Sequence, residues 1–152
     1  MMADRFILLV EDSPDDAALT LRAFERSDAA HVDIEIARDG VEALDFLFAT
    51  GAHSGHDPKR LPVFVLLDLK LPKMDGLEVV RRLRADARTA LLPVVIFSSS
   101  TESYDIRAAW QSGASSYVCK PVEFGKFRET VCDLAHYWLN VNQISDELDR
   151  RS

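Results

Sequence analysis

Three short apolar runs, Phe6 to Val10, Val63 to Leu67 and Val94 to Phe97, constrain this chain more than any other feature. Each breaks off abruptly into polar residues, the pattern of strands buried on both faces. Val32-Asp33-Ile34-Glu35-Ile36 alternates instead and reads as a half-exposed edge strand. Tyr117 to Cys119, bounded by Gly113 and Pro121, is a fifth and shorter candidate. Between these runs, apolar residues recur at helical spacing. The sets are Ala17, Leu21 and Phe24; Val41, Leu44, Leu47 and Phe48; Leu77, Val80 and Leu83; more weakly Ile106 and Ala109; and most clearly Phe124, Phe127, Val131, Leu134 and Trp138. Strand and helix thus alternate five times. That order calls for an α/β fold with a mostly parallel, doubly wound sheet, right-handed crossovers and helices on both faces.

The 152 residues suffice for one domain with a short tail, and 47% hydrophobic residues supply a full core. Eighteen Lys and Arg against 25 Asp and Glu give a formal charge of −7, which disfavours a nucleic-acid or anionic-membrane binder working through bulk electrostatics. No apolar run approaches the ~20 residues of a membrane span, and the five after Arg5 are too few for a signal peptide, so a cytoplasmic protein is expected. Cys119 and Cys132 lie in apolar patterns without metal spacing and read as reduced core thiols.

Two stretches interrupt the regularity. Thr50 to Leu61 has no periodicity and reads as an enlarged surface loop. Its His53, His56 and Asp57 would be odd zinc ligands and are expected to be solvated. After Leu139, residues 140–152 form a tail or an extension of the last helix, since Leu134, Trp138, Val141, Ser145 and Leu148 step by four and three.

In an open parallel sheet, ligands sit beyond the carboxyl ends of the strands, so the residues ending each strand decide the chemistry. The first strand runs into Glu11-Asp12-Ser13-Pro14-Asp15-Asp16. Ser13 suits an N-cap, Pro14 the first helical turn, and Asp15 and Asp16 the positive end of the helix dipole. Glu11 and Asp12 have no such local explanation. The third strand ends in Asp68, beside them in a parallel sheet, and two such charges 4 Å apart cost about 4 kcal/mol at an effective dielectric near 20. A cation must offset this: Mg²⁺, which takes oxygen ligands and retains water, or Lys120, directly after the fifth strand. Ser98, first polar residue after the fourth strand, is placed to donate to an anion at Asp68. Ser100 and Thr101 read as turn formers, and Tyr117 as a half-buried aromatic with its hydroxyl near the surface.

With these pieces in order, the sequence resembles the receiver domain of bacterial two-component response regulators. The matching motifs are Leu9-Val10-Glu11-Asp12, Leu67-Asp68, Leu71-Pro72-Lys73-Met74-Asp75-Gly76, Pro93 to Ser98, and Gly113 to Pro121. The resemblance covers residues 5–139 as one receiver domain. It implies a five-stranded, flavodoxin-like sheet in the order 2-1-3-4-5 with five helices, the last either ending near Leu139 or extended into the tail. Asp68 would be the phosphoacceptor. Glu11, Asp12 and Asp68 would hold Mg²⁺, with the backbone carbonyl of Lys70 as a further ligand. Lys120 would pair with the phosphoryl group through a cis Lys120–Pro121 bond, and Ser98 and Tyr117 would form the switch pair. Lys70 and Ser100 occupy positions that tune hydrolysis. The partners implied are a sensor histidine kinase, a downstream phosphotransfer or target protein, and a second copy meeting through the fourth helix, fifth strand and fifth helix or through the C-terminal extension. Trp110, Tyr117, Phe124 and Trp138 fall on those elements.

A narrower likeness, to single-domain regulators partnered with bacterial phytochromes, rests on the enlarged loop, the Asp68 to Gly76 run and the Ser-rich fourth strand end. Two enzyme or carrier readings fit less well. A haloacid-dehalogenase-like phosphatase needs an Asp where Lys70 stands, and a flavodoxin-like FMN carrier would not place four acids on its phosphate loop. A receiver-like scaffold without phosphorylation is the remaining alternative. On the receiver reading the chain is no enzyme beyond its own phosphorylation and slow dephosphorylation.

Overall fold

The computed structural model describes residues 5–57 and 59–144. Along them run β1 (Phe6–Val10), α1 (Pro14–Glu25), β2 (Asp33–Ala37), α2 (Gly40–Phe48), β3 (Val65–Leu67), α3 (Gly76–Ala85), β4 (Val94–Ser98), α4 (Ser103–Ser112), β5 (Ser116–Cys119) and α5 (Phe124–His136). The strands form one parallel sheet in the order β2-β1-β3-β4-β5, as expected. Successive side chains of a strand point to opposite faces, and the core divides accordingly. Phe6, Leu8, Val10, Val65, Leu67, Val94 and Ile96 pack with α2 and α3 residues such as Leu47, Val80 and Leu83. Ile7, Leu9, Phe64, Leu66, Val95 and Phe97 pack with Ala17 and Phe24 of α1 and Phe127, Val131 and Leu134 of α5. β2, with one neighbour only, alternates between exposed and covered positions.

Several expectations are corrected. β3 is shorter than the apolar run, although the Val63 N–H still donates to the Phe6 carbonyl at 2.8 Å. Val41 and Phe124, assigned to inner helix faces, are exposed. Phe124 opens α5, one turn ahead of the buried Phe127, whereas Val41 follows the buried Gly40 and lies on the other side of an α2 already packed against Met74 and Val79. The thiols of Cys119 and Cys132 are free, but neither is a core group: Cys119 is exposed and Cys132 half-buried. His53 and His56 are not simply solvated. The His56 ring stacks on Phe46 at 4.1 Å and its Nε2 lies 3.1 Å from the Arg60 carbonyl oxygen, while His53 meets the same Phe46 edge-on at 5.4 Å. With the Arg60 guanidinium 4.3 Å above the Phe6 ring, the enlarged loop folds down against the start of β1.

The last helix widens into a π turn over Tyr137–Val141, and Asn142 leaves helical geometry (φ −63°, ψ 141°). Asp28 Oδ2 accepts from Asn140 Nδ2 at 2.7 Å and lies 2.7 Å from His136 Nδ1, which fastens this turn to the loop after α1. The stepped pattern therefore stops being helical at Asn142. Its further members Ser145 and Leu148 lie outside the described residues.

Candidate functional site

Register sets the geometry. Val10 is paired with Leu67 across β1 and β3, so the next residues, Glu11 and Asp68, emerge side by side. The ladder continues one step past the strands: the Glu11 N–H donates to the Ala37 carbonyl at 3.0 Å and the Asp68 N–H to the Val10 carbonyl at 3.1 Å. Gly76 lets α3 begin directly behind Asp68. A Cβ there would stand 2.5 Å from the Asp68 carbonyl oxygen. On the far side, β5 pairs with β4 up to Ser98 and Cys119, and the Lys120 N–H donates to the Ser98 carbonyl at 2.7 Å. Lys120 is thereby launched over the same end of the sheet.

The lysine ammonium reaches three carboxylates: Glu11 Oε1 at 2.6 Å, Asp16 Oδ2 at 2.9 Å and Asp68 Oδ2 at 3.1 Å. Its side chain is 8% exposed and that of Glu11 3%. Burial pushes the Glu11 carboxyl above the ordinary carboxylate range, a push that Lys120 opposes and Asp68 reinforces. Burial alone would lower Lys120, but hydrogen bonds to Asp16 and Glu11 and the charge of Asp68 outweigh it and hold the ammonium above its usual value. Oxygen atoms of Glu11, Asp12 and Asp68 lie within 4.8 Å of one another. Oxygen-only donors, with Asp12 open to solvent, fit a hard divalent cation that keeps part of its hydration shell.

The model of the response regulator receiver domain family matches residues 7–132. The chain belongs to that family. It is 42% identical over 137 residues to a probable methanogenesis regulatory protein, FilR2, of Methanothrix harundinacea, covering 90% of this chain and 85% of that one. Among solved structures it resembles the bacteriophytochrome response regulator AtBRR, with 44% identity, a TM-score of 0.71 and coverage of 91% of this chain and 98% of the other. It also resembles the phosphorylated cyanobacterial phytochrome response regulator RcpA, with 29% identity, a TM-score of 0.84 and coverage of 91% and 96%.

In this receiver domain Ser98 is 1% exposed at the end of β4, and its Oγ accepts from the Ser100 N–H at 3.2 Å. Ser100 is more than a turn former. Its carbonyl accepts from the Tyr117 hydroxyl at 2.9 Å, and its own hydroxyl donates to Asp105 Oδ2 of α4 at 2.6 Å. Burial raises the Tyr117 phenol, which stays a proton donor at neutral pH. Ser100, two residues after Ser98, is therefore tied both to Tyr117 and to α4. Lys70 is an exposed turn residue two positions beyond Asp68.

One expectation fails at the site: all described peptide bonds are trans, Lys120–Pro121 included. Trans is the lower-energy form of an X–Pro bond, and Lys120 reaches its three carboxylates from it. One residue was overlooked. Asp16 has a sufficient local role as an acid in the first turn of α1, and its 2.9 Å approach to Lys120 exists only once β1 and β5 have been brought into one sheet.

Proposed function

We propose that this receiver domain accepts a phosphoryl group on Asp68 from a phosphohistidine of a sensor histidine kinase. The observation that carries this reading is the Asp68 carboxylate at the head of the sheet, within reach of one ammonium and two further acids. An Asp68 oxygen attacks phosphorus, the P–N bond breaks, and its electron pair leaves with the imidazole, which keeps or takes up a proton. Glu11, Asp12 and Asp68, with the Lys70 carbonyl, would hold Mg²⁺. When bound, the ion neutralises charge on the transferring group. Lys120 keeps its protons on Nζ and would redirect the N–H it donates to the Asp68 carboxylate toward a phosphoryl oxygen. Ser98 donates to the same group, and its displacement is passed through Ser100 to Tyr117 and Asp105.

The likeness to phytochrome response regulators supports a phytochrome-type kinase as the donor. The face of α4, β5 and α5 carries exposed Tyr104, Trp110, Val122 and Phe124, apolar area suited to a second copy or a downstream target protein. Tyr117 and Trp138 are instead packed on the core and offer it less. Among the described residues no helix is long and apolar enough to cross a membrane.

The test is incubation with Mg²⁺ and a small phosphodonor, followed by intact mass. The native chain gains one phosphoryl group and Asp68→Asn gains none. Equal labelling of both, or of neither, overturns the assignment, the latter outcome favouring a scaffold. Size-exclusion chromatography of the same samples reports dimerisation.

A further inference from the structure

Asp16 carries a role that its position in the helix does not explain. Ser13, Pro14, Asp15 and Asp16 open α1, and Ser13 Oγ accepts from the Asp16 N–H at 3.2 Å. In a reciprocal capping box the acid at this third helical position would return the bond to the N-cap N–H. Here the Ser13 N–H donates to Glu11 Oε2 at 3.1 Å instead. The Asp16 carboxylate is thereby released from the helix start, and its Oδ2 lies 2.9 Å from Lys120 Nζ. An ammonium has three protons and no acceptor. Glu11, Asp16 and Asp68 take all three.

Asp16 differs from the other two partners. It is not one of the three acids grouped closely enough to share a cation. Its side chain is 34% exposed, against 13% for Asp68, so it stands at the mouth of the pocket where an incoming anion passes. A phosphoryl group arriving on Asp68 needs the Lys120 ammonium and meets Asp16 as a like charge beside it. We propose that Asp16 is a positioning residue acting through Lys120: it keeps one ammonium proton occupied in the resting protein and so restrains phosphoryl acceptance from small dianionic donors such as acyl phosphates. This rests on Asp68 being the acceptor. A kinase that docks elsewhere on the protein supplies binding energy remote from the pocket and overcomes the restraint, whereas a free small donor cannot.

The experiment measures acceptance rates by intact mass at saturating Mg²⁺ with acetyl phosphate, a dianion, and phosphoramidate, a monoanion. Asp16→Asn is expected to accept from acetyl phosphate about fivefold faster than the native chain, the upper end for a partly exposed charge pair. The gain should be smaller with phosphoramidate, and should shrink as KCl approaches about 1 M, where the Debye length is about 3 Å. Asp16→Glu, which keeps the charge, restores slow acceptance. In the metal-free protein the Tm of Asp16→Asn is not lowered. An Asp16→Asn rate no faster than native, with Asp68→Asn still unlabelled, overturns the inference and leaves the acceptor assignment standing. A lowered Tm with an unchanged rate does the same and returns Asp16 to a helix-capping role. A native chain that gains no phosphoryl group overturns both.

Discussion

Two basic side chains of this protein each gather several oxygens, and the oxygens are of opposite kinds. Lys120, at the carboxyl ends of the strands, is held by three carboxylates. Arg84, at the end of α3 and near the opposite end of the sheet, bonds the carbonyls of Gly113, Thr89, Ala90 and Leu92 at 2.8–3.2 Å and Ser115 Oγ at 3.2 Å. Burial lowers the Arg84 pKa, and no ion pair of Arg84 is found among the described residues. The guanidinium fork matches fixed backbone dipoles, leaving nothing to exchange. Gly113, at φ 107°, completes the clamp, because a Cβ there would stand 2.8 Å from Arg84 Cγ. Around Lys120 the acids outnumber the cation, and the surplus is relieved only when an ion arrives. A basic group satisfied by neutral dipoles stabilises a fold. One surrounded by an excess of acids marks a place where ligands come and go.

If this contrast is right, Arg84→Ala has the largest effect on stability. It removes the donor of five part-buried acceptors, of which the Thr89 carbonyl and Ser115 Oγ keep a second donor, and should cost about 3 kcal/mol, at ~1–3 kcal/mol for each group left unpaired and with water recovering part. Urea denaturation should show the same loss with and without Mg²⁺, and Arg84→Lys should recover little of it. Lys120→Met comes next, at about 2 kcal/mol in the metal-free protein, since acids lose their shared partner. Unlike the first, this deficit should narrow in Mg²⁺, because acids without an ammonium among them bind the ion more tightly than the native set does, and each tenfold lower Kd adds about 1.4 kcal/mol to the variant relative to the native chain at saturating ion. A Lys120→Met deficit indifferent to Mg²⁺ would erase the distinction between the two sites.

The smallest effect has the opposite sign. Glu11→Gln should raise the Tm of the metal-free protein by ~2–4 °C, the shift that about 1 kcal/mol produces in a domain of this size. Burial raises its native carboxyl above the ordinary 4.5, so just above that pH the folded state keeps a proton the unfolded state has lost. Native stability without metal should therefore fall as pH rises from about 4.5 through the raised value, and Glu11→Gln should flatten that segment. Lys120 is raised as well, so its contribution is complete at neutral pH and declines only above 10.5. Thermal melts across this range check both signs.

Much of the sheet and the acidic cluster was legible in the residues because both depend on short-range pattern. β1 occupies the apolar run Phe6–Val10, and Glu11 and Asp68 stand where such runs break off. Ser98 was readable for the same reason, as the first hydroxyl after Val94 to Phe97. Phe124 was misjudged because helical spacing does not say where a helix first meets its sheet. His53 and His56 were misjudged because nothing in a loop's composition reveals that Phe46 waits beneath it. Nothing in the sequence marks Arg84, since an arginine on the polar side of an amphipathic helix looks like an ordinary surface charge.

What the chain determined by itself were the alternation of strand and helix, the order of acids along it, and the hydroxyl and lysine at later strand ends. All of these follow from periodicities of two and 3.6 residues and from where they stop. Tertiary structure alone decided which acids share Lys120 and which carbonyls share Arg84. Asp16 and Lys120 are 104 residues apart, and Arg84 and Ser115 are 31 apart. Hydrogen bonds act over about 3 Å, so such pairings exist only after crossovers have brought distant segments to the same end of the sheet.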